Sequence, residues 1–173
     1  MKRYSIIDMD FEAGRRRRRI VERHKVLHDM ETAMFLPVML DKGAKMPTRA
    51  HDTDAGLDLY MPDIADETLF AHDTLVIDTG VHVLIPDGYV GMIKSKSGLN
   101  VKYGITSEGV IDAGYTGSIV VKLYNHSDDD IAVDCGDKIS QLVILPIITP
   151  TVKLVNEFPV TDRGDNGFGS TGR

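Results

Sequence analysis

From Met34 onward, turn signals cut the chain every several residues, and this punctuation constrains the fold more than any other feature. Short apolar or alternating runs recur at Phe35–Leu40, Leu57–Tyr60, Thr74–Ile77, Val81–Ile85, Tyr89–Lys94, Ser118–Tyr124, Ile131–Val133, Ile139–Ile144 and Thr151–Val155. Between them stand Pro86-Asp87-Gly88, the polar stretch Asn125 to Asp130, and Cys135-Gly136-Asp137. Many short strands at this spacing predict an all-β sandwich or barrel. No helix-length pattern follows residue 34, and there is no internal repeat or βαβ alternation.

Residues 1–33 read differently. The run Arg15 to Arg19 precedes Ile20, Leu27, Met30 and Met34, an apolar stripe at helical spacing that predicts a short amphipathic helix over 16–33. As an arm, this segment serves solvation or subunit packing. As a basic patch, it touches nucleic acid or a protein partner. The far end, residues 161–173, is Gly-rich and predicts a flexible tail. The expected organisation is therefore an arm at 1–33, a β domain at 34–160 and a mobile segment at 161–173.

Charge and composition narrow the partners. Residues 1–33 carry nine Lys/Arg and six Asp/Glu, whereas residues 34–173 carry eleven and twenty. An acidic body argues against broad nucleic-acid binding, so a polyanionic substrate needs a local pocket of cations and backbone N–H groups. The single cysteine, Cys135, cannot form a disulfide framework or a zinc site within one chain, which points to a reducing cytoplasm. No apolar run approaches the roughly 18 residues of a membrane span. The charged start lacks the apolar core of a signal peptide.

Several short motifs invite chemistry, and most fail alone. Gly167-Phe168-Gly169-Ser170-Thr171-Gly172 fits GxGxxG, but only Arg173 follows where a dinucleotide site needs a helix. Its small residues still let backbone N–H groups approach phosphate, and Arg163 adds a forked cation. The segment from His51 to Asp58 imitates a calcium loop. Counted from Asp52, its glycine falls at position five, and position twelve is Asp63 in place of glutamate. Lys94-Ser95-Lys96-Ser97-Gly98 suits an oxyanion or is an ordinary charged turn. The stretch Gly109 to Gly117 reads as a tight hairpin in which Asp112, partly enclosed after two apolar residues, could accept a proton from water. Asp128-Asp129-Asp130 reads as a solvated loop more readily than as a metal site.

Taken in order, these pieces resemble the homotrimeric dUTPase family. The matching segments are Asp54-Ala55-Gly56-Leu57-Asp58-Leu59, then Lys96-Ser97-Gly98-Leu99, then Gly109-Val110-Ile111-Asp112-Ala113-Gly114-Tyr115-Thr116-Gly117. Gly136-Asp137-Lys138-Ile139-Ser140-Gln141-Leu142 and the tail from Arg163 to Gly172 complete the set. Five ordered motifs are far more specific than any one of them.

The resemblance implies a distorted jelly-roll subunit of the β-clip type, a homotrimer, and active sites at subunit boundaries. It implies hydrolysis of dUTP to dUMP and pyrophosphate, with Mg²⁺ held mainly by substrate phosphates and water. Asp112 is then the general base, and Asp58 orders the site. Tyr115 packs on deoxyribose, and the backbone from Ser107 through Gly109, Val110 and Ile111 pairs with uracil. Lys96, Ser97, Gly98 and Gln141 face phosphates. Phe168 stacks on uracil, while Arg163, Gly169, Ser170 and Thr171 close over the γ-phosphate. Lys96 stands where the family usually carries arginine, so the charge is kept and the fork is lost.

Two rivals are weighed against this reading. A dCTP deaminase of the same fold needs a catalytic glutamate where this chain has Lys122, a cation that cannot shuttle the proton. A dUTP-gated module whose main task is binding a protein partner through residues 1–33 is the other.

Overall fold

The computed structural model describes residues 35–64 and 66–166. The predicted helix at 16–33 lies outside them, as do Phe168, Gly169, Ser170 and Thr171. Nine strands are described: β1 (Val38–Leu40), β2 (Gly56–Tyr60), β3 (Glu67–Leu69), β4 (Thr74–Val83), β5 (Tyr89–Lys94), β6 (Ile105–Ile111), β7 (Ser118–Asn125), β8 (Ile131–Val133) and β9 (Lys138–Pro146). One helix, α1 (Ser97–Tyr103), interrupts them. The chain is all-β, as its punctuation predicts.

Seven strands form one antiparallel sheet in the order β1-β4-β7-β6-β5-β9-β2, curled into a half-barrel, and β3 pairs with β8 as a separate ribbon. The curl comes from β6, which changes partner along its length. Ile105–Ser107 pair with Leu123–Asn125 of β7, whereas Glu108–Ile111 pair with Gly91–Lys94 of β5. The expected tight hairpin is therefore wrong in detail. β6 and β7 are joined at their far ends and splay apart toward the turn at 112–117.

Alternation along the strands builds the core. In β7, Ile119, Val121 and Leu123 are buried while Val120, Lys122 and Tyr124 face outward. Ile77, Val81, Ile93, Ile105 and Leu142 meet them inside the curl. Burying one such side chain stabilises the fold by roughly 1.5–3 kcal/mol. The buried polar groups are all partnered among the described residues. Asn125, at the end of β7, donates to the carbonyls of Leu69, Phe70 and Asp129 and accepts from Ser127, locking the β3 end to the following loop.

Four further expectations need correction. The run Thr74–Ile77 and the start of Val81–Ile85 belong to one long strand, β4, which ends at Val83 and whose register against β7 slips between Asp78 and His82. The slip explains the break seen in the sequence, because Gly80 sits there at φ 64° within a bulge. The helix α1 was not expected. It follows Lys96 and stops at Gly104, whose φ of 67° is the left-handed cap that glycine adopts without penalty. β3 was not expected either, since Glu67-Thr68-Leu69 holds a single apolar residue. Conversely, Thr151–Val155 joins no strand, and Ile148, Val152, Leu154 and Phe158 are at least 86% exposed.

Leu142 is fully buried where β9 crosses between β2 and β5. Leu142→Ala is expected to cost about 2–5 kcal/mol, the range for a large-to-small change at a rigid core site. Urea denaturation at fixed protein concentration checks it, with the midpoint falling and the slope unchanged.

Candidate active site

A buried carboxylate joins three of the sequence motifs. Asp58 on β2 is 4% exposed, and its two oxygens face two cations. One is the ammonium of Lys96, at the β5–α1 junction. The other is Lys138 at the start of β9, 2.7 Å away. β2 and β9 pair with Asp58 opposite Gln141, and β9 and β5 pair with Gln141 opposite Lys94, so the ladder itself brings these residues to one end of the sheet. Burial pushes the Asp58 carboxyl up, but the bonds to Lys138 and Lys96 more than offset this and hold it below its ordinary value. The bond to Asp58 in turn raises Lys138.

Gln141 is fixed between the same strands. Its side-chain amide donates to the Ser95 carbonyl at 2.9 Å. A Cβ at Gly56 would lie 2.1 Å from its Oε1, so the glycine of the first motif exists to admit the glutamine of the fourth. Beneath them runs a chain of hydroxyls. Ser107 Oγ meets Ser140 Oγ at 2.7 Å, Ser140 donates to the Lys94 carbonyl, and Ser95 Oγ accepts from the Ser107 N–H. Ser107 is thus buried and committed to the β5–β6–β9 junction. Ser97 and Gly98 open α1 and are exposed. Among the described residues nothing lies within 4 Å of a Cβ at Gly98, so none of them requires its glycine.

The second cluster lies at the other end of the β5–β6 ladder. After Ser107, β6 has left β7, so the backbone edge of Glu108–Ile111 on that side has no ladder partner among the described residues. Asp112 follows at the strand end, and its side chain is exposed instead of partly enclosed. Gly114 turns the chain at φ 78°. Tyr115 folds back over Gly117, where a Cβ would lie 2.3 Å from the phenol oxygen, and its hydroxyl donates to the Ser118 carbonyl at 3.2 Å. The tyrosine therefore keeps its place only because position 117 has no side chain.

The two clusters do not meet within one chain. Strands advance about 3.3 Å per residue, which puts Lys96 and Asp112 on the order of 15–20 Å apart along the ladder. Arg163 is exposed in the segment after β9, its Nε donating to the Asn166 carbonyl at 3.1 Å. Sequence reasoning passed over Lys138 and Ser140 as ligands of the site's own residues. Their motif was visible, but the pairing that makes them matter crosses strands far apart in sequence. No group of three or more His, Cys, Asp or Glu that could hold a metal occurs among the described residues. The acidic loop is used otherwise, Asp128 meeting His72 and Asp130 accepting from the Ala71 N–H.

Comparison with known proteins gives one answer. The family model for dUTPase matches residues 42–172. A deoxyuridine 5'-triphosphate nucleotidohydrolase of Candida albicans is 41% identical over 149 residues, 83% of this chain and 92% of the relative. Its counterpart from Arabidopsis thaliana is 40% identical over 154 residues, 88% of this chain and 92% of the relative. Among solved structures, the Staphylococcus bacteriophage 80alpha dUTPase with dUPNHPP is similar at a TM-score of 0.74 and 36% identity, covering 80% of this chain and 99% of that one. A mutant dUTPase from phage phi11 of S. aureus, solved to show the coordination of a structural Mg(II) ion, is similar at 0.66 and 34%, covering 73% and 99%.

The depressed Asp58 carboxyl fixes a pH dependence. Its stabilising contribution is present above the ordinary aspartate value, about 3.9, and is lost as pH falls through the lowered folded value. Lys138→Met is expected to move the Asp58 titration upward and to bring acid unfolding to a higher pH. Carboxyl NMR and an acid titration of the folded fraction measure both.

Proposed function

Because the chain belongs to the dUTPase family and is a dUTP diphosphatase, we propose that it cleaves dUTP to dUMP and pyrophosphate by attack of water on the α-phosphorus. One observation carries the mechanistic reading. The unpaired edge of β6 runs directly into the turn that carries Asp112 and Tyr115, so hydrogen-bonding backbone, a carboxylate and a ring stand within one short stretch of chain. The edge at Glu108–Ile111 offers N–H and carbonyl groups to uracil, and a slot this close to the backbone rejects the thymine methyl. Tyr115, pinned over Gly117, packs on deoxyribose and leaves no room for a 2′-OH. Asp112 receives the proton of the attacking water.

The phosphate end of the site is the Asp58 cluster. Lys96 and Lys138 supply positive charge, Asp58 holds them in place, and Ser97 with Gln141 contacts phosphate oxygens. Mg²⁺ is carried mainly by the triphosphate and its waters, as this ion usually keeps several waters and needs few protein ligands. When bound, that ion neutralises phosphate charge and eases departure of pyrophosphate. The distance between the two clusters makes a single chain an incomplete catalyst. A homotrimer in which one copy's Asp112 turn faces another copy's Lys96–Asp58–Lys138 cluster completes it. The apolar residues exposed between Ile147 and Val160 are surface for such an assembly. Arg163, Phe168, Gly169, Ser170 and Thr171 then close over the nucleotide and exclude water.

With Mg²⁺ present, pyrophosphate is expected from dUTP and not from dTTP, dCTP or UTP; ammonia from dCTP would instead make the chain a deaminase. Asp112→Asn should still bind dUTP while turnover falls by about 10²–10⁴-fold, the usual contribution of a general base. Undiminished turnover removes Asp112 from that role. Truncation after Val160 should abolish most activity and leave the far-UV circular dichroism unchanged.

A further inference from the structure

His82 lies on β4 just past the bulge, with Met39 of β1 on one side and Ser118 of β7 on the other. Its ring bridges two structures that the backbone does not join. Nδ1 is 2.9 Å from the carbonyl oxygen of Thr116, in the turn between Asp112 and Gly117. Nε2 is 3.1 Å from a carboxylate oxygen of Asp41, in the turn after β1. Asp41 is itself anchored, its N–H donating to the Gly80 carbonyl at 2.8 Å.

Both partners of the ring are acceptors with no proton to give. A neutral imidazole carries one N–H and can satisfy only one of them, whereas the imidazolium carries two and satisfies both. The bond to Thr116 is also the shortest described for that turn. The others are Gly114 N–H to the Ile85 carbonyl at 3.3 Å, Tyr115 N–H to the Asp112 carbonyl at 3.2 Å, and Tyr115 hydroxyl to Ser118 at 3.2 Å.

We propose that His82 is a positioning residue for the turn that carries Asp112 and Tyr115, clamping it to the β1 turn through two hydrogen bonds that only its protonated ring can make. This rests on the reading of Tyr115 as the sugar-packing residue and Asp112 as the base. The titratable groups facing the ring are Asp41 from the β1 turn and Asp78 from its own strand. Asp78 is occupied by Ser118 Oγ and the Gly80 N–H. The bond to Thr116, then that to Asp41, raises His82 above its ordinary value. The clamp is therefore complete below the usual histidine pKa of about 6.5 and is released as pH rises through the raised value. Release frees Tyr115 first, so it shows in binding and in sugar discrimination more than in turnover.

Two measurements test the clamp. In the first, NMR follows the His82 ring and the Gly117 N–H, which shares its peptide group with the Thr116 carbonyl. The expected result is a His82 midpoint above about 6.5, with the Gly117 resonance moving on the same curve, and a lower midpoint in Asp41→Asn. A Gly117 resonance that ignores the His82 titration overturns the proposal. In the second, kcat and KM for dUTP, and the inhibition constant of UTP as a competitor, are measured from about pH 6 to about pH 9. The wild-type preference for dUTP should fall several-fold across the His82 titration, chiefly through KM. His82→Gln should show a lower preference with no such step. A His82→Gln enzyme with the wild-type preference and pH curve also overturns it. Asp41→Asn, altered at a side chain 65% exposed, gives the same kinetic test should His82→Gln not fold. If the wild-type chain cleaves no dUTP, the functional reading fails, and the NMR measurement decides the clamp by itself.

Discussion

Asp58 is the point through which the rest of the site is connected. A carboxylate almost wholly removed from water is unfavourable unless opposite charge accompanies it, and here Lys96 and Lys138 do so. Each comes from a different element. The requirement of one buried anion for compensation therefore ties β2, the β5–α1 junction and β9 to one geometry. A departure of this sequence still meets the same requirement. With lysine at 96 in place of the family's usual arginine, the cation reaches Asp58 as a point charge, without a fork to spread over a second partner. The lysines are positioned before any phosphate arrives, and the electrostatic preparation of the site belongs to the folded chain.

The partner exchange of β6 is the second organising fact. It bends the sheet into a half-barrel, and it also strips one edge of Glu108–Ile111 of its ladder. Unpaired backbone groups on a strand edge invite another chain or a ligand. Here the edge is short and ends in a turn, so it offers room for one flat heterocycle more readily than for a strand. On the proposed reading, fold and recognition share a cause: the same splay that closes the core bares the edge assigned to the base.

Much of this was legible in the sequence, for identifiable reasons. Alternation in Ser118–Tyr124 and the buried run Tyr89–Lys94 mark strands because each has one or two protected faces, and those bounds agree with β7 and β5 to within a residue. The glycines of the motifs announced close contacts. What they contact was not legible, because Gly56 meets Gln141 and Gly117 meets Tyr115 only after the chain has folded. β3 was missed because Glu67-Thr68-Leu69 holds one apolar residue and so forms no run, unlike the equally short but wholly apolar Ile131–Val133. The helix α1 was missed because it has no buried residue and hence no apolar stripe. Thr151–Val155 has the composition of a strand but no ladder within its own chain, and composition does not say where a partner will come from. His82 left no trace at all, since its meaning depends on Asp41 and Thr116, 41 and 34 residues distant.

The contact between Gly56 and Gln141 also bears on how such a chain can diverge. A side chain at 56 would occupy the volume of the glutamine amide, and the only relief is for the glutamine to leave its bond to Ser95. Position 56 cannot gain a side chain while Gln141 keeps its place, although 85 residues separate them. Divergence of this sequence is thus ordered: the glutamine can be given up while the glycine stands, but a side chain at 56 can enter only once the amide has gone.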